Sequence, residues 1–377
     1  MKLEILPVPG IGDVSPGDDL ATLIATAAPW LRDGDILVVT SKIVSKAEGR
    51  LVDVPVAGPE RDAAREEILA AETARPVARR GPTRIVQTHH GFVMASAGID
   101  ASNVAASQLV LLPKDPDASA RSLRSALRER YGVDVAVIVS DTMGRPWRNG
   151  LTDVALGVSG MPAIRDHRGE VDPYGNELTI TQMAVVDELA GAGELVKGKS
   201  AQVPVAVIRG YLTATDPDDG VGATALVRDA AYDLFSLGTA EAHAAGLRTA
   251  ATLPEAAVTD GPVDPDELVD RASVARAIAT VAGVIAPGTV FTPATQEEVR
   301  ARFATVVPGW PAAATAAVTG TVAAGQDPAA LIRFGADLHR LRLALAAEGV
   351  ASAVLSPPTD ATYHVLIALA RSLPVTR

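Results

Sequence analysis

Asp141, Thr142, Arg145 and Arg148 fall within one short stretch, Ser140 to Gly150, directly after the apolar run Val133 to Val139. A carboxylate gives Mg²⁺ or Mn²⁺ a hard oxygen, a threonine hydroxyl gives a second, and two guanidinium forks neutralise phosphoryl oxygens. The set suits a metal-bound phosphate, and these four residues are the catalytic candidates. Their position agrees: a continuous β-branched run has the pattern of a sheet-core strand, and functional groups are often mounted where such a strand gives way to a loop. A surface turn with a local Asp–Arg pair accounts for the same letters.

Three other clusters could join them. The run Thr40 to Arg50 follows a second apolar strand pattern, Asp35 to Thr40, and contains Ser41, Lys42, Ser45 and Lys46. The run is expected as a loop; if it is helical, Lys42 and Lys46 at four-residue spacing share one face and form a hydroxyl-and-ammonium cradle for phosphates, and a solvated basic helix end reads the same way. Asp100 lies on a Gly-marked turn with Asn103 three residues on, an ordinary cap unless Asp100 and Asp141 meet across a metal. Gly193 to Ser200 matches G-x-x-x-x-G-K-[ST], with Lys199 as the motif lysine. A P-loop needs a strand before it and a helix after it, whereas here a helical pattern precedes and an apolar strand pattern follows, which leaves Lys197, Lys199 and Ser200 as candidates to touch a nucleotide by another geometry. His89 and His90 could pair on a metal, but adjacent residues on a strand point to opposite faces, and a capped turn of the hairpin accounts for them better. His167 sits in a loop of mixed charge that either binds a polar ligand or simply connects elements.

The scaffold that positions these groups is bounded by composition. The chain has 377 residues, 48% of them hydrophobic, which allows two domains with a sizeable core. Its net charge of −11 argues against a duplex nucleic-acid binder, because that affinity needs a basic face. With no cysteine there is neither a disulfide framework nor a thiolate site. No stretch reaches about 18 uninterrupted apolar residues and the first residues lack a signal pattern, so the expectation is a soluble cytoplasmic protein without membrane or nucleic-acid partners. Short strands are expected at Leu3 to Val8, Asp35 to Thr40, Val133 to Val139 and Val203 to Ile208, with a hairpin at Arg84 to Thr88 and Gly91 to Ala95. Helices are expected at Asp18 to Leu31, Ala63 to Arg80, Thr179 to Val196, and Asp117 to Tyr131, the last with Ser122, Arg124 and Arg128 facing out. The fold class is α+β, since hairpins are mixed with helices and no G-x-G-x-x-G follows a strand.

In order along the chain, PGDDL, DGDILVVTSKIVSKAEGR, GFVMASAGIDASNV, LLPKDPDASA, VAVIVSDTMGRPWRNG, RGEVDPYGNELTIT, VVDELAGAGELVKGK and VAVIRG resemble the coenzyme F420-0:L-glutamate ligases. The resemblance covers residues 1–245, and the chain closely resembles the actinobacterial form fused to a nitroreductase-like flavin domain. It implies a two-lobed gamma-glutamyl ligase-like fold, GTP and L-glutamate as co-substrates of F420-0, Mg²⁺ or Mn²⁺, often a monovalent cation such as K⁺, and an intertwined homodimer. By the same resemblance, Ile11, Gly12, Asp13 and Val14 match a first GTP-contacting loop, Ser41 and Lys46 a second, and Asn103 a further nucleotide contact. Asp100 and Asp141 match metal ligands, with Thr142 at a second metal. Near Lys199 some relatives carry an acidic ligand, which leaves the second metal with one ligand fewer here.

The organisation expected is a ligase domain over 1–245, a linker over 246–265 and a reduced nitroreductase-like domain over 266–377, smaller and mostly helical. Leu338 to Leu355 resembles the helix and strand near the end of that fold. Ala251 to Val263, where fused relatives place an arginine-rich flavin-phosphate segment, contains no arginine. An FMN phosphate loses its best anchors without cations, so FMN is not expected. The alternative is an FMN-binding oxidoreductase acting on a deazaflavin precursor through the C-terminal region.

Overall fold

The computed structural model describes residues 2–198, 202–254, 268–303, 307–322, 328–357 and 364–371. The chain divides into two compact units, Met1–Ala242 and His243–Arg377.

A mixed five-stranded sheet forms the centre of the first unit. Its strands are β1 (Glu4–Pro7), β2 (Ile36–Thr40), β8 (Ala136–Arg145), β9 (Arg148–Ser159) and β12 (Val205–Arg209), in the order β1-β12-β2-β8-β9. Only β2 and β8 run parallel. Alternation along each strand builds two cores. Ile36, Val38, Ala136, Ile138, Ala206 and Ile208 pack toward Val186 and Leu189 of helix α5 (Val185–Lys197). Leu37, Val39, Val137, Val139, Val205 and Val207 pack on the other side, toward Ile24 of α1 (Leu20–Ala27) and Leu123 and Leu127 of α4 (Pro116–Tyr131). Burial on both faces is why these strands read as unbroken apolar runs, each large side chain contributing about 1.5–3 kcal/mol by leaving water. Where the alternation reaches Thr40, Ser140 and Thr142, the α5 side of the sheet turns from apolar to polar.

Helix α2 (Ser41–Ala47) starts directly from β2. A smaller lobe follows, with β3 (Leu51–Asp53) paired to β7 (Gln108–Val110), helix α3 (Pro59–Ala71), and the sheet β4 (Thr73–Arg80), β5 (Thr83–Thr88), β6 (Val93–Ala95). The short pair β10 (Arg165–Asp166) and β11 (Gln182–Met183) closes the loop that carries His167.

Four expectations change. The helix predicted over Ala63 to Arg80 ends at Ala71 and the chain turns into β4. Pro76 explains it: inside a helix it would break the hydrogen-bond ladder, while in β4 it stands at an irregularity of pairing with β5. Arg124 does not face out. Its guanidinium is buried and bonded to Asp134, Asp219 and the Asp216 carbonyl. The strand expected to stop at Val139 continues to Arg145, because β9 supplies an antiparallel partner for each residue through Thr142 and beyond. Asp141 and Thr142 therefore stand on a strand, not in a loop. Finally, α5 begins at Val185, later than Thr179.

In the second unit, β13 (Val290–Pro293), β14 (Ala316–Thr321), β16 (Val365–Arg371) and β15 (Val350–Leu355) form an antiparallel sheet in the order β13-β14-β16-β15. Helix α7 (Arg271–Val281) and the helix Pro328–Ala347 pack on it through Val274, Ala277, Leu341 and Leu345. The region is thus a sheet with helices and not mostly helical. Its strands are rich in alanine, a strong helix former whose local preference is overridden by burial of Val365 to Ala370 without interruption. Of the linker expected over 246–265, residues 246–251 belong to helix α6 (Thr239–Ala251), and 255–267 lie outside the described residues. Among the described residues no helix is long and apolar enough to cross a membrane.

Candidate functional site

A cavity of about 640 Å³ opens where the parallel pair β2 and β8 ends, the position at which ligand sites form in sheets of this kind. Thr40 comes to it from β2, Lys42 and Lys46 from α2, and Asp141 and Thr142 from β8. Gly12, Asp13 and Val14 of the loop after β1 line it, as do Asp100, Ser102 and Asn103 of the smaller lobe. Asp153 of β9 and Glu194 and Lys197 of α5 complete the polar wall.

Ion pairs organise that wall. Lys46 Nζ lies 2.7 Å from Asp13 Oδ1, Lys42 Nζ 2.7 Å from Asp100 Oδ2, and Lys197 Nζ 2.8 Å from Asp153 Oδ2. The Lys46 ammonium holds the Asp13 carboxyl below its ordinary range. At Asp100 burial works the other way, but the Lys42 ammonium and the Ser102 N–H outweigh it, and the group is ionised more readily than a free aspartate. Among the described residues five carboxylates (Asp13, Asp100, Asp141, Asp153 and Glu194) face three ammonium groups, an excess of negative charge. A bare polyphosphate would be repelled. One that arrives with divalent cations would not be.

The donor chemistry fits such a cation. Asp100, Asp141 and Thr142 offer hard oxygens without sulfur or imidazole, the choice of Mg²⁺ or Mn²⁺. Among the described residues no group of three His, Cys, Asp or Glu side chains converges tightly enough to hold a metal alone. Two carboxylates and a hydroxyl leave positions for phosphate oxygens, as Mg²⁺ sites usually do.

Not every candidate reaches the cavity. Ile11 is buried in the core and Ser41 in the first turn of α2, and neither lines the cavity. Arg145 and Arg148 are exposed register partners at the end of the β8–β9 hairpin, where Arg145 bonds to the Asn149 carbonyl. At about 3.3 Å per residue the continued strand carries Arg145 roughly 10 Å beyond Thr142. Lys199 and Ser200 lie outside the described residues. His89 and His90 bond to backbone carbonyls of Ala71, Pro113 and Lys114, and His167 pairs with Glu170 in an exposed loop.

The described part of the Walker-like run is the end of α5, with Lys197 turned inward and Gly198 as the cap. Gly193 serves packing, since a Cβ there would meet Val38 Cβ at 2.9 Å. Asp153 is a site residue that sequence reasoning missed; its signal is a lone charge inside the apolar run of β9. Lys197, one of the residues expected near a nucleotide from its place inside the Walker-like match, does line the cavity.

The model of the F420-0:Gamma-glutamyl ligase family matches residues 10–210, a span that holds every residue named in the cavity wall. The chain belongs to that family. It is 42% identical to the coenzyme F420:L-glutamate ligase of Methanopyrus kandleri over 247 residues, covering 62% of this chain and 97% of that protein. The coenzyme F420:L-glutamate ligase of Methanothermobacter thermautotrophicus is 41% identical over 252 residues, 62% of this chain and 99% of its own length. That of Haloarcula marismortui is 42% identical over 249 residues, 62% and 95% respectively. These relatives are matched nearly end to end, and the chain has more than a third of its length beyond them.

Proposed function

We propose that the first unit is a GTP-dependent ligase that adds L-glutamate to coenzyme F420-0 and repeats the addition to build a γ-linked tail. The observation that carries this reading is the joining of Asp100, Asp141, Thr142, Lys42 and Lys46 on one cavity wall in a chain of this family. Forming an amide from a carboxylate and an amine requires an activated acyl group. Transfer of the γ-phosphoryl of GTP to the acceptor carboxylate supplies it, with GDP as the leaving group. The α-amine of glutamate then attacks the acyl carbon, phosphate departs and the amine loses a proton. Lys42 and Lys46 offset charge on the phosphoryl oxygens, and Gly12 to Val14 with Asn103 hold the nucleotide. Asp100, Asp141 and Thr142 would hold a divalent cation, which when bound neutralises phosphoryl charge. A monovalent cation such as K⁺ and assembly as a homodimer belong to the same reading.

The second unit is proposed to be a reduced nitroreductase-like domain without flavin. Its support is the lack of arginine between Ala251 and Val263 and the helix-then-strand order of Pro328–Ala347 and Val350–Leu355.

Mass spectrometry of F420-0 incubated with the full chain, glutamate, GTP and Mn²⁺ tests the ligase. Successive glutamate-sized additions are expected, and Asp141→Asn is expected to reduce their rate at least about 100-fold. No addition by the unaltered chain with Mn²⁺ or with Mg²⁺ in its place would retire the reading.

A further inference from the structure

Lys197 is among the most buried side chains of the protein, 1% exposed, and its ammonium is held by groups of the protein itself. Nζ donates to Asp153 Oδ2 at 2.8 Å and to Ser140 Oγ at 2.9 Å, with Thr40 Oγ1 at 3.4 Å and Glu194 Oε2 at 3.5 Å. Asp153, 3% exposed, also accepts from two hydroxyls of β8: Ser140 Oγ donates to Oδ2 and Thr142 Oγ1 to Oδ1, each at 2.9 Å. A hydroxyl has one proton, and that of Thr142 is committed to Asp153. Toward the cavity this oxygen can therefore only accept.

We propose that Asp153 is a positioning residue: anchored by the buried Lys197 ammonium, its carboxylate fixes the Thr142 hydroxyl as an acceptor toward the cavity, the one polarity in which that oxygen can bind a divalent cation. The inference rests on Thr142 being a cation ligand of the proposed ligase. Lys197 follows as the counter-ion of Asp153 and not as a phosphate-binding lysine, since its protons are directed at Asp153, Ser140 and Thr40.

The polarity makes a specific prediction for Asp153→Asn. An ammonium cannot accept a hydrogen bond, so the amide oxygen must face Lys197, which turns the NH₂ toward Thr142. The threonine hydroxyl then accepts from the amide and its proton is released from residue 153, so that it can point toward the cavity and oppose a cation there.

The test is a double-mutant cycle on the full chain, read as Mn²⁺ binding from the electron paramagnetic resonance of free Mn²⁺, without nucleotide. Thr142→Val and Asp153→Asn are each expected to weaken Mn²⁺ binding about tenfold or more, and the double variant no further than the weaker single one. Multiplying losses would mean that Asp153 acts independently of Thr142 and would overturn the assignment. So would an Asp153→Asn variant with unchanged binding, or no Mn²⁺ binding by the unaltered chain. If Asp153→Asn does not fold because it strands a buried ammonium, Lys197→Met is added. The amide is then free to turn its oxygen to Thr142, so this pair is expected to bind Mn²⁺ within about threefold of the unaltered chain and to lose about tenfold when Thr142→Val joins it. A folded pair that has lost Mn²⁺ binding defeats the proposal. Mn²⁺ binding in the expected pattern without glutamate addition would retire the ligase and leave the Asp153 assignment standing.

Discussion

Ser45 stands on the buried side of α2 between the two cavity lysines, and among the described residues its Oγ is the buried side-chain polar atom without a hydrogen-bond partner. Leaving such a hydroxyl unpaired costs about 1–3 kcal/mol, and serine is a poorer helix former than alanine. Ser45→Ala is expected to stabilise the chain by about 1 kcal/mol, read as a higher urea midpoint at unchanged slope. A lower midpoint would mean that the hydroxyl has a role in the fold. At this scale the sequence is a partial guide. The four-residue spacing of Lys42 and Lys46 is legible in the sequence, and it becomes a shared face because the segment is the helix α2 and not the loop expected after β2. The pairing of Lys42 with Asp100 is not legible, because it joins α2 to a separate lobe.

At the scale of elements, Arg124 ties α4 to the chain around Asp134 and to the loop after β12. Burial alone would raise the carboxyls of Asp134 and Asp219, but hydrogen bonds from Thr215 and Arg124 to the first, and from Ser159 and Arg124 to the second, hold both below the usual range. Groups with depressed folded-state pKa values contribute stability that is present above the ordinary carboxylate pKa, about 3.9, and lost as pH falls through the folded value. Arg124→Ala is therefore expected to cost about 3 kcal/mol at pH 7, the low end for a broken buried pair because both carboxylates are partly exposed. The difference from the unaltered chain should narrow below about pH 4. Denaturant titrations at the two pH values check this, and a deficit independent of pH would assign the loss to packing. The helix itself is legible from its periodicity, its Asp115 cap and its Gly132 end. Its orientation is not, since arginine reads as a solvent-facing residue until the acids that pair with it are brought close.

At the scale of the whole molecule, an acidic chain is proposed to bind a highly anionic nucleotide. The excess of carboxylates in the cavity reconciles the two if cations enter with the phosphates. The second unit makes a separate prediction: the full chain, purified and concentrated, should lack the absorbance near 450 nm of a bound flavin. A stoichiometric yellow chromophore released on denaturation would contradict the flavin-free reading and favour an oxidoreductase role for that unit.

By itself the sequence determined β1, β2, β12 and the buried part of β8, the positions of α1 and α4 to within a few residues, and the presence of Asp100, Asp141 and Thr142 as hard-oxygen donors. Those are consequences of short-range rules, in which alternation, spacing and capping are written in neighbouring letters. Helix α2, which follows β2 where a loop is expected, and β9 were not read from it. Tertiary structure alone decided that β8 runs on past the site, that Lys197 is buried against Asp153 from 44 residues away, and that the C-terminal region is built on a sheet. The reason is the same each time. Strand order and helix crossings bring distant segments into contact, and a buried charge or an alanine-rich strand acquires its meaning only from the partner that the fold places beside it.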